Sequence, residues 1–173
     1  MVPGGRGEER DLLAEGLARE LLEARLIANF ATLNRDGSVH LVPLWYLWDG
    51  EAVLLPTSGA TRKVRNLERD ARATVMIDDS RGGFDLRGIT LTGRVAILRG
   101  GEAVALNRRI HLRYLTERGR DLEPVDRYLA TDDVTIRFAP ERASSWDLRG
   151  TEQGRALIET GEFRPLDRGA GTR

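Results

Sequence analysis

The sequence contains no cysteine, which excludes disulfides, thiolate metal sites and cysteine nucleophiles at once. Histidine is scarce: His40 and His111 are the two, and neither has a second ligand nearby at metal-binding spacing. Lysine is scarcer still, because every one of the 27 basic residues except Lys63 is arginine. Charge of one sign is missing too. The 27 acidic residues bring the formal net charge to +0, leaving no global field to draw nucleic acid or an anionic membrane surface. No apolar run approaches the roughly 20 residues of a membrane span, and residues 1–10 are Gly-rich and charged rather than leader-like. These absences predict a cytoplasmic protein with neither a membrane nor a nucleic-acid partner. No Ser/His/Asp or paired-carboxylate pattern stands out either.

What is present reads as one domain. With 173 residues and 40% hydrophobic content, the chain buries a sizeable core. Residues 1–10 are expected to be a flexible N-terminus, 11–149 the domain, and 150–173 an extension that is partly disordered where the hydrophobic pattern thins. Leu13, Leu17 and Leu21 mark an amphipathic helix over 11–25. Strand-like runs over 26–33, 38–48 and 51–57, joined by Asp36-Gly37 and Asp49-Gly50 turns, predict a three-stranded meander. The middle run is apolar on both faces, with Val39, Leu41, Pro43, Trp45 and Leu47 alternating with Val42, Leu44, Tyr46 and Trp48. It is expected to be covered twice, and Pro43 to sit where no ladder hydrogen bond is needed.

Ala60, Val64 and Leu67 then define a helix ending near Asp70, and 72–77 is a further strand. An acidic, glycine-rich loop over 78–85 leads into a long strand over 86–98, where Gly93 predicts a bulge or barrel corner. A helix over 102–118, turning Leu106, Ile110 and Tyr114 inward, is expected to be capped by Gly119. Val134, Ile136 and Phe138 open a last strand toward Trp146. The pattern is that of an α+β, mainly β, fold built on an antiparallel barrel.

The chemistry concentrates in residues 57–70, where charges run backwards for an isolated helix. Arg62, Lys63 and Arg65 fall in the first turn, at the positive end of the dipole, while Glu68 and Asp70 lie at the negative end. Each such charge costs roughly 0.3 to 1 kcal/mol at low salt. A phosphate at the helix start would offset this, held by free N–H groups, the Ser58 and Thr61 hydroxyls and the cations, with Gly59 allowing close approach. An ordinary surface helix with solvated arginines fits the same residues equally well.

The run Gly59-Ala-Thr-Arg-Lys-Val-Arg-Asn-Leu67, between a strand ending in Thr57-Ser58 and one opening at Arg72-Ala-Thr-Val75, resembles the phosphate-binding segment of the pyridoxamine 5'-phosphate oxidase-like split-barrel flavoproteins. The preceding Gly37-Ser-Val-His-Leu-Val-Pro-Leu-Trp-Tyr46 is similar to that family's second strand. The resemblance implies a split β-barrel, an antiparallel Greek-key-type barrel of six to seven strands with flanking helices. It further implies that Thr61, Arg62 and Lys63 hold the coenzyme phosphate, that Leu44, Trp45, Pro56, Thr57 and Ser58 flank the ring or ribityl chain, and that the site lies at a homodimer interface.

Departures narrow the branch. Residues 41–47 carry none of the basic side chains that vitamin B6 oxidases place on the second strand, Gly88 stands where those enzymes have glutamine, and their C-terminal substrate arginines have no counterpart after Trp146. Lys63-Val-Arg-Asn-Leu67 is most similar to the branch using the deazaflavin coenzyme F420, whose phosphodiester and anionic tail Arg65, and Arg69 or Arg87, would follow, with Asn66 a further cofactor-binding candidate. The expected function is hydride transfer between F420 and a small conjugated acceptor. The alternatives are an FMN-binding oxidoreductase with the same phosphate site, and a non-catalytic carrier of a flavin or tetrapyrrole. Trp45, Tyr46 and Trp48 suit ring stacking or plain packing, Tyr114 a proton donor or a packing residue, and Trp146 a cofactor neighbour or a core tryptophan.

Overall fold

The structure, a computed structural model, describes residues 16–166. The expectations for residues 1–10, for Leu13 and for 168–173 lie outside the described residues. Helix α1 (Gly16–Glu23) turns Ala18, Leu21 and Leu22 into the core. There follow β1 (Ala28–Leu33), β2 (Val39–Leu44), β3 (Leu47–Trp48), β4 (Val53–Thr57), α2 (Arg62–Arg69), β5 (Arg72–Asp78) and β6 (Arg87–Arg99). Helices α3 (Gly100–Tyr114), α4 (Glu117–Arg120) and α5 (Glu123–Leu129), strand β7 (Val134–Asp147) and helix α6 (Glu152–Thr160) complete the described chain.

All seven strands join one antiparallel sheet in the order β2-β1-β5-β6-β7-β4-β3, the split barrel expected from the sequence. The expected meander is corrected. The Asp36-Gly37 and Asp49-Gly50 turns do join hairpins, β1 with β2 and β3 with β4, but β4 pairs next with β7, so β2 and β3 end up at opposite edges of the sheet. The run read as a single second strand breaks at Trp45-Tyr46, where the chain passes from one edge to the other. Tyr46 is the reason the break is there: its ring is fully buried, and its hydroxyl reaches the carbonyls of Leu21 and Ala24 at 2.6 and 2.7 Å. Burial drives its pKa well above the ordinary tyrosine value, so it stays a neutral donor.

Strand β2 does not have two covered faces in the single chain. Val42 and Leu44 pack on the core, whereas Val39 is 63% and Leu41 60% exposed. Being an edge strand paired to β1 alone, β2 accepts Pro43 without losing a ladder bond on its open side.

Gly93 sits where the β6–β7 register shifts, the bulge its position predicted. Gly119 is not the cap of α3. That helix stops at Tyr114, and Gly119 lies inside α4, donating its N–H to the Thr116 side chain. Within residues 151–166, Thr151 starts α6, left-handed Gly161 ends it, and Pro165 bridges back to Gly82.

The 78–85 loop is tied down rather than solvated. Arg87 pairs with Asp79 at 2.9 Å and with Glu20 at 2.8 Å, while Arg149 reaches Asp79 and Asp85. Arg87 is therefore committed to joining α1, the loop and β6, rather than free to follow a coenzyme tail. The hydrogen bond from Arg87 holds the Asp79 carboxyl below its ordinary pKa, against the cost of burial. Its contribution is thus present above the ordinary carboxylate value and lost as pH falls through the lower native one. Asp79→Asn is expected to lower the Tm at pH 7, and thermal scans should show the gap to the wild type closing as pH falls below about 4.

Candidate functional site

The two sheet edges meet at a seam that two prolines keep open. Pro43 lies on β2, and Pro56 lies on β4 beyond the short stretch that β3 covers, where Leu47 pairs with Leu54 and Trp48 with Val53. Neither has an N–H to offer the other edge. Both line a cleft of about 510 Å³, within the size range of small-molecule sites.

The cleft floor is the turn between β4 and α2. Thr57 is buried, and its hydroxyl lies 3.4 Å from that of Thr61, which donates to the Ser58 carbonyl at 2.8 Å. Thr61 is the N-cap residue of α2 but makes no side-chain cap bond, and the first turn contains no acidic residue. The leading N–H groups of the helix are left without intrahelical partners, at its positive end. Gly59 is small because of protein rather than ligand: a Cβ there would meet Arg99, Val134 and Asp133 at 3.1 to 3.4 Å, and its N–H donates to Asp133 at 2.6 Å.

Lys63 stands on the inner face of this turn. It is 9% exposed, lines the cleft, and has no hydrogen bond or ion pair of its own among the described residues. Burial pushes its pKa below the ordinary lysine value, and the Asp132 carboxylate opposes that shift. An ammonium that faces a cleft with no hydrogen bond or ion pair to the described residues, and with only a partial offset from Asp132, is free to take an anion from a ligand.

The far wall comes from α5 and the turn before β7, and α3 backs Trp45 from outside the lining. Trp45 stacks on Tyr114 with centroids 5.1 Å apart and planes 4° from parallel, and meets the edge of His111. The Tyr114 hydroxyl donates to the Leu26 carbonyl at 2.6 Å, so its proton is already committed. Tyr128, 73% exposed, and Leu129 stand at the mouth.

The structure thus gathers Leu44, Trp45, Pro56, Thr57, Ser58, Thr61 and Lys63 around one cleft. It places the other three sequence candidates elsewhere. Arg62 is exposed and outside the lining. Arg65 folds back to donate to the Ala60 carbonyl at 2.6 Å. Asn66 is buried and donates to Thr32 at 3.1 Å and Asn34 at 3.0 Å, stitching α2 to the β1–β2 hairpin. Arg69 reaches the Leu33 carbonyl, and Glu68 pairs with Arg99 at 2.7 Å, so most of the helix's apparent charge frustration is relieved by protein. Asn66→Ala is expected to cost about 1–3 kcal/mol, read by denaturant unfolding, because Thr32 and Asn34 lose a buried partner.

Sequence reasoning missed Ile27, Pro43, Tyr128, Leu129, Thr131 and Asp132 as lining residues. The segment 116–133 has no strong periodicity, and a tyrosine surrounded by charged residues was its one signal. Trp146 does not line the cleft; its ring lies over Gly88, where a Cβ would come within 2.2 Å of it. That packing explains why a glycine occupies position 88.

Among solved structures, a conserved hypothetical protein from Mycobacterium tuberculosis is 27% identical, with a TM-score of 0.65 over 78% of this chain and 86% of its own. An F420 reductase is 25% identical, with a TM-score of 0.60 over 75% of this chain and 98% of its own. The heme storage protein HutZ from Vibrio cholerae shares the fold alone, at 16% identity and a TM-score of 0.58 over 75% of this chain and 90% of its own. No curated protein matches the chain. The sequence model of the pyridoxamine 5'-phosphate oxidase family covers residues 14–147, from α1 through the end of β7 and including every wall of the cleft, and the chain belongs to that family.

Proposed function

We propose that the protein is an oxidoreductase that holds coenzyme F420 in the seam, with the phosphate on Lys63, and passes a hydride between it and a small conjugated acceptor. The observation that carries this reading is Lys63, a largely buried residue with no hydrogen bond or ion pair among the described residues, in a cleft otherwise lined mainly by apolar and hydroxyl side chains. These residues fit a coenzyme that is part planar ring and part phosphate ester. Lys63 and the N–H groups opening α2 take the anion, the Thr57 and Thr61 hydroxyls supply adjustable donors, and Leu44, Trp45 and Pro56 give the ring an apolar wall. The coenzyme supplies the hydride chemistry when bound; the protein supplies position and a dry environment. Trp45 is held for that task by its stack on Tyr114.

A second copy of the chain completes the site in this reading. Val39 and Leu41 present an apolar face on an edge strand that is open on one side, beside Pro43 of the cleft, a surface that asks for cover. Leu41→Glu is expected to convert a dimer to monomers in analytical ultracentrifugation and to weaken coenzyme binding with it.

Titrating the purified protein with F420 and with FMN, then offering conjugated acceptors, tests the function. Saturable F420 binding with acceptor reduction is expected. Tight FMN binding with no affinity for F420 would leave the FMN oxidoreductase instead, and binding without turnover across the acceptor panel would leave a carrier.

A further inference from the structure

We infer that Asp132 is a charge filter in the coenzyme cleft, setting it to accept a singly charged phosphodiester and to reject a terminal, doubly charged phosphate. The inference rests on the coenzyme reading above and goes beyond it by assigning specificity to a residue opposite the phosphate-binding helix. Lys63 and Asp132 are the two charged residues lining the cleft among the described residues, so the site offers one positive charge and one negative. A wall built simply to attract phosphate would carry no carboxylate.

This carboxylate is held in place deliberately by the fold. His111, buried on α3, brings Nε2 to 3.0 Å from the Asp132 Oδ2, and its Nδ1 has no partner, so Asp132 is the ring's one hydrogen-bonding tie. Asn107, also buried on α3, donates to the Asp132 carbonyl at 2.9 Å, fixing the backbone as His111 fixes the side chain. A residue anchored at both ends cannot swing away when an anion arrives. Its charge already acts on Lys63, compensating part of the ammonium that a ligand would use.

The consequence depends on ligand charge. A phosphate monoester carries roughly −1.5 to −2 near pH 7, whereas an internal diester carries a single charge. Coulomb repulsion from Asp132 scales with that charge, so the monoester suffers about twice the penalty of the diester. F420 contains the diester, FMN the monoester, and riboflavin no phosphate at all.

Asp132→Asn keeps the acceptor for His111 and removes the charge. Calorimetric titration of wild type and D132N with the three ligands is the test. FMN is expected to bind D132N about tenfold more tightly than it binds wild type, F420 about threefold, and riboflavin without change. Asp132→Glu, which restores the charge, should return the wild-type ratio of F420 to FMN affinity and so exclude a general effect of substitution. Equal shifts for all three ligands would overturn the inference, because Asp132 would then act through cleft shape. No shift for FMN would also overturn it, while F420 binding to the wild type would leave the coenzyme reading intact. Failure of both proteins to bind any of the ligands would remove the coenzyme reading and the filter together.

Discussion

Replacing Lys63 by methionine is expected to raise the Tm of the coenzyme-free protein and to abolish most of the stabilisation that added F420 brings. The first half follows from burial that the Asp132 charge offsets only in part. Lys63 is 9% exposed, and its pKa is held below the ordinary lysine value chiefly by desolvation. A lysine whose folded pKa lies below its unfolded one is bound by its proton more readily in the unfolded chain. Stability therefore rises as pH climbs from the depressed native value toward the ordinary one, and at neutral pH the charged lysine is a cost. Methionine fills similar space and carries no charge.

The second half follows from the ligand. A hydrogen bond from a charged donor contributes about 1.5–3 kcal/mol, so losing the ammonium is expected to weaken coenzyme binding by roughly tenfold to 150-fold. Thermal scans with and without F420 at pH 7 check both halves at once. A variant less stable than the wild type when free, yet equally stabilised by coenzyme, would show Lys63 to be a packing residue.

The largest loss of stability is expected from Gly93→Ala. A Cβ at position 93 would lie 2.1 Å from the Ala139 carbonyl oxygen, at the register shift between β6 and β7. That oxygen belongs to backbone, in the most extensive pairing of the sheet, and cannot rotate away as a side chain would. Overpacking of this kind costs about 1–3 kcal/mol and occasionally more, and the upper end is expected here, a fall in Tm of roughly 6–12 °C. Gly101→Ala supplies the control: its Cβ would meet nothing within 4 Å, and the position lies in the first turn of α3. Equal Tm values for the two variants would show that the bulge tolerates a side chain.

How much of this was legible in the sequence depends on the range of the interaction concerned. Gly93 announced its bulge because an isolated glycine in a long alternating strand has few other uses. The hairpin at Asp36-Gly37 was equally local, and left-handed Gly37 explains it. The pairing of β4 with β7 was not legible, since it joins segments some 80 residues apart and turn chemistry carries no information about it. Trp45-Tyr46 looked like continuing strand because alternation persists through it; only the distant carbonyls of Leu21 and Ala24 make it a crossing.

The site divides along the same line. Thr57, Ser58, Thr61 and Lys63 stood out as one contiguous, chemically odd segment. Their arginine neighbours looked equally available, yet Arg65 and Arg69 donate to backbone carbonyls and Arg87 to Asp79. Arginine in a sequence reports a charge but not its partner, and here the partners are set by folding. Asp132 stayed hidden for the converse reason: its meaning comes from His111 and Lys63, neither of them near it in the chain.

The central claim is that the seam binds a deazaflavin coenzyme through Lys63. A crystal structure of the protein with F420 tests it most directly. The expected result places the phosphodiester within hydrogen-bonding distance of the Lys63 Nζ at the start of α2, with the ring against Trp45. Coenzyme bound away from the cleft, or in the cleft with the lysine unengaged, would contradict it.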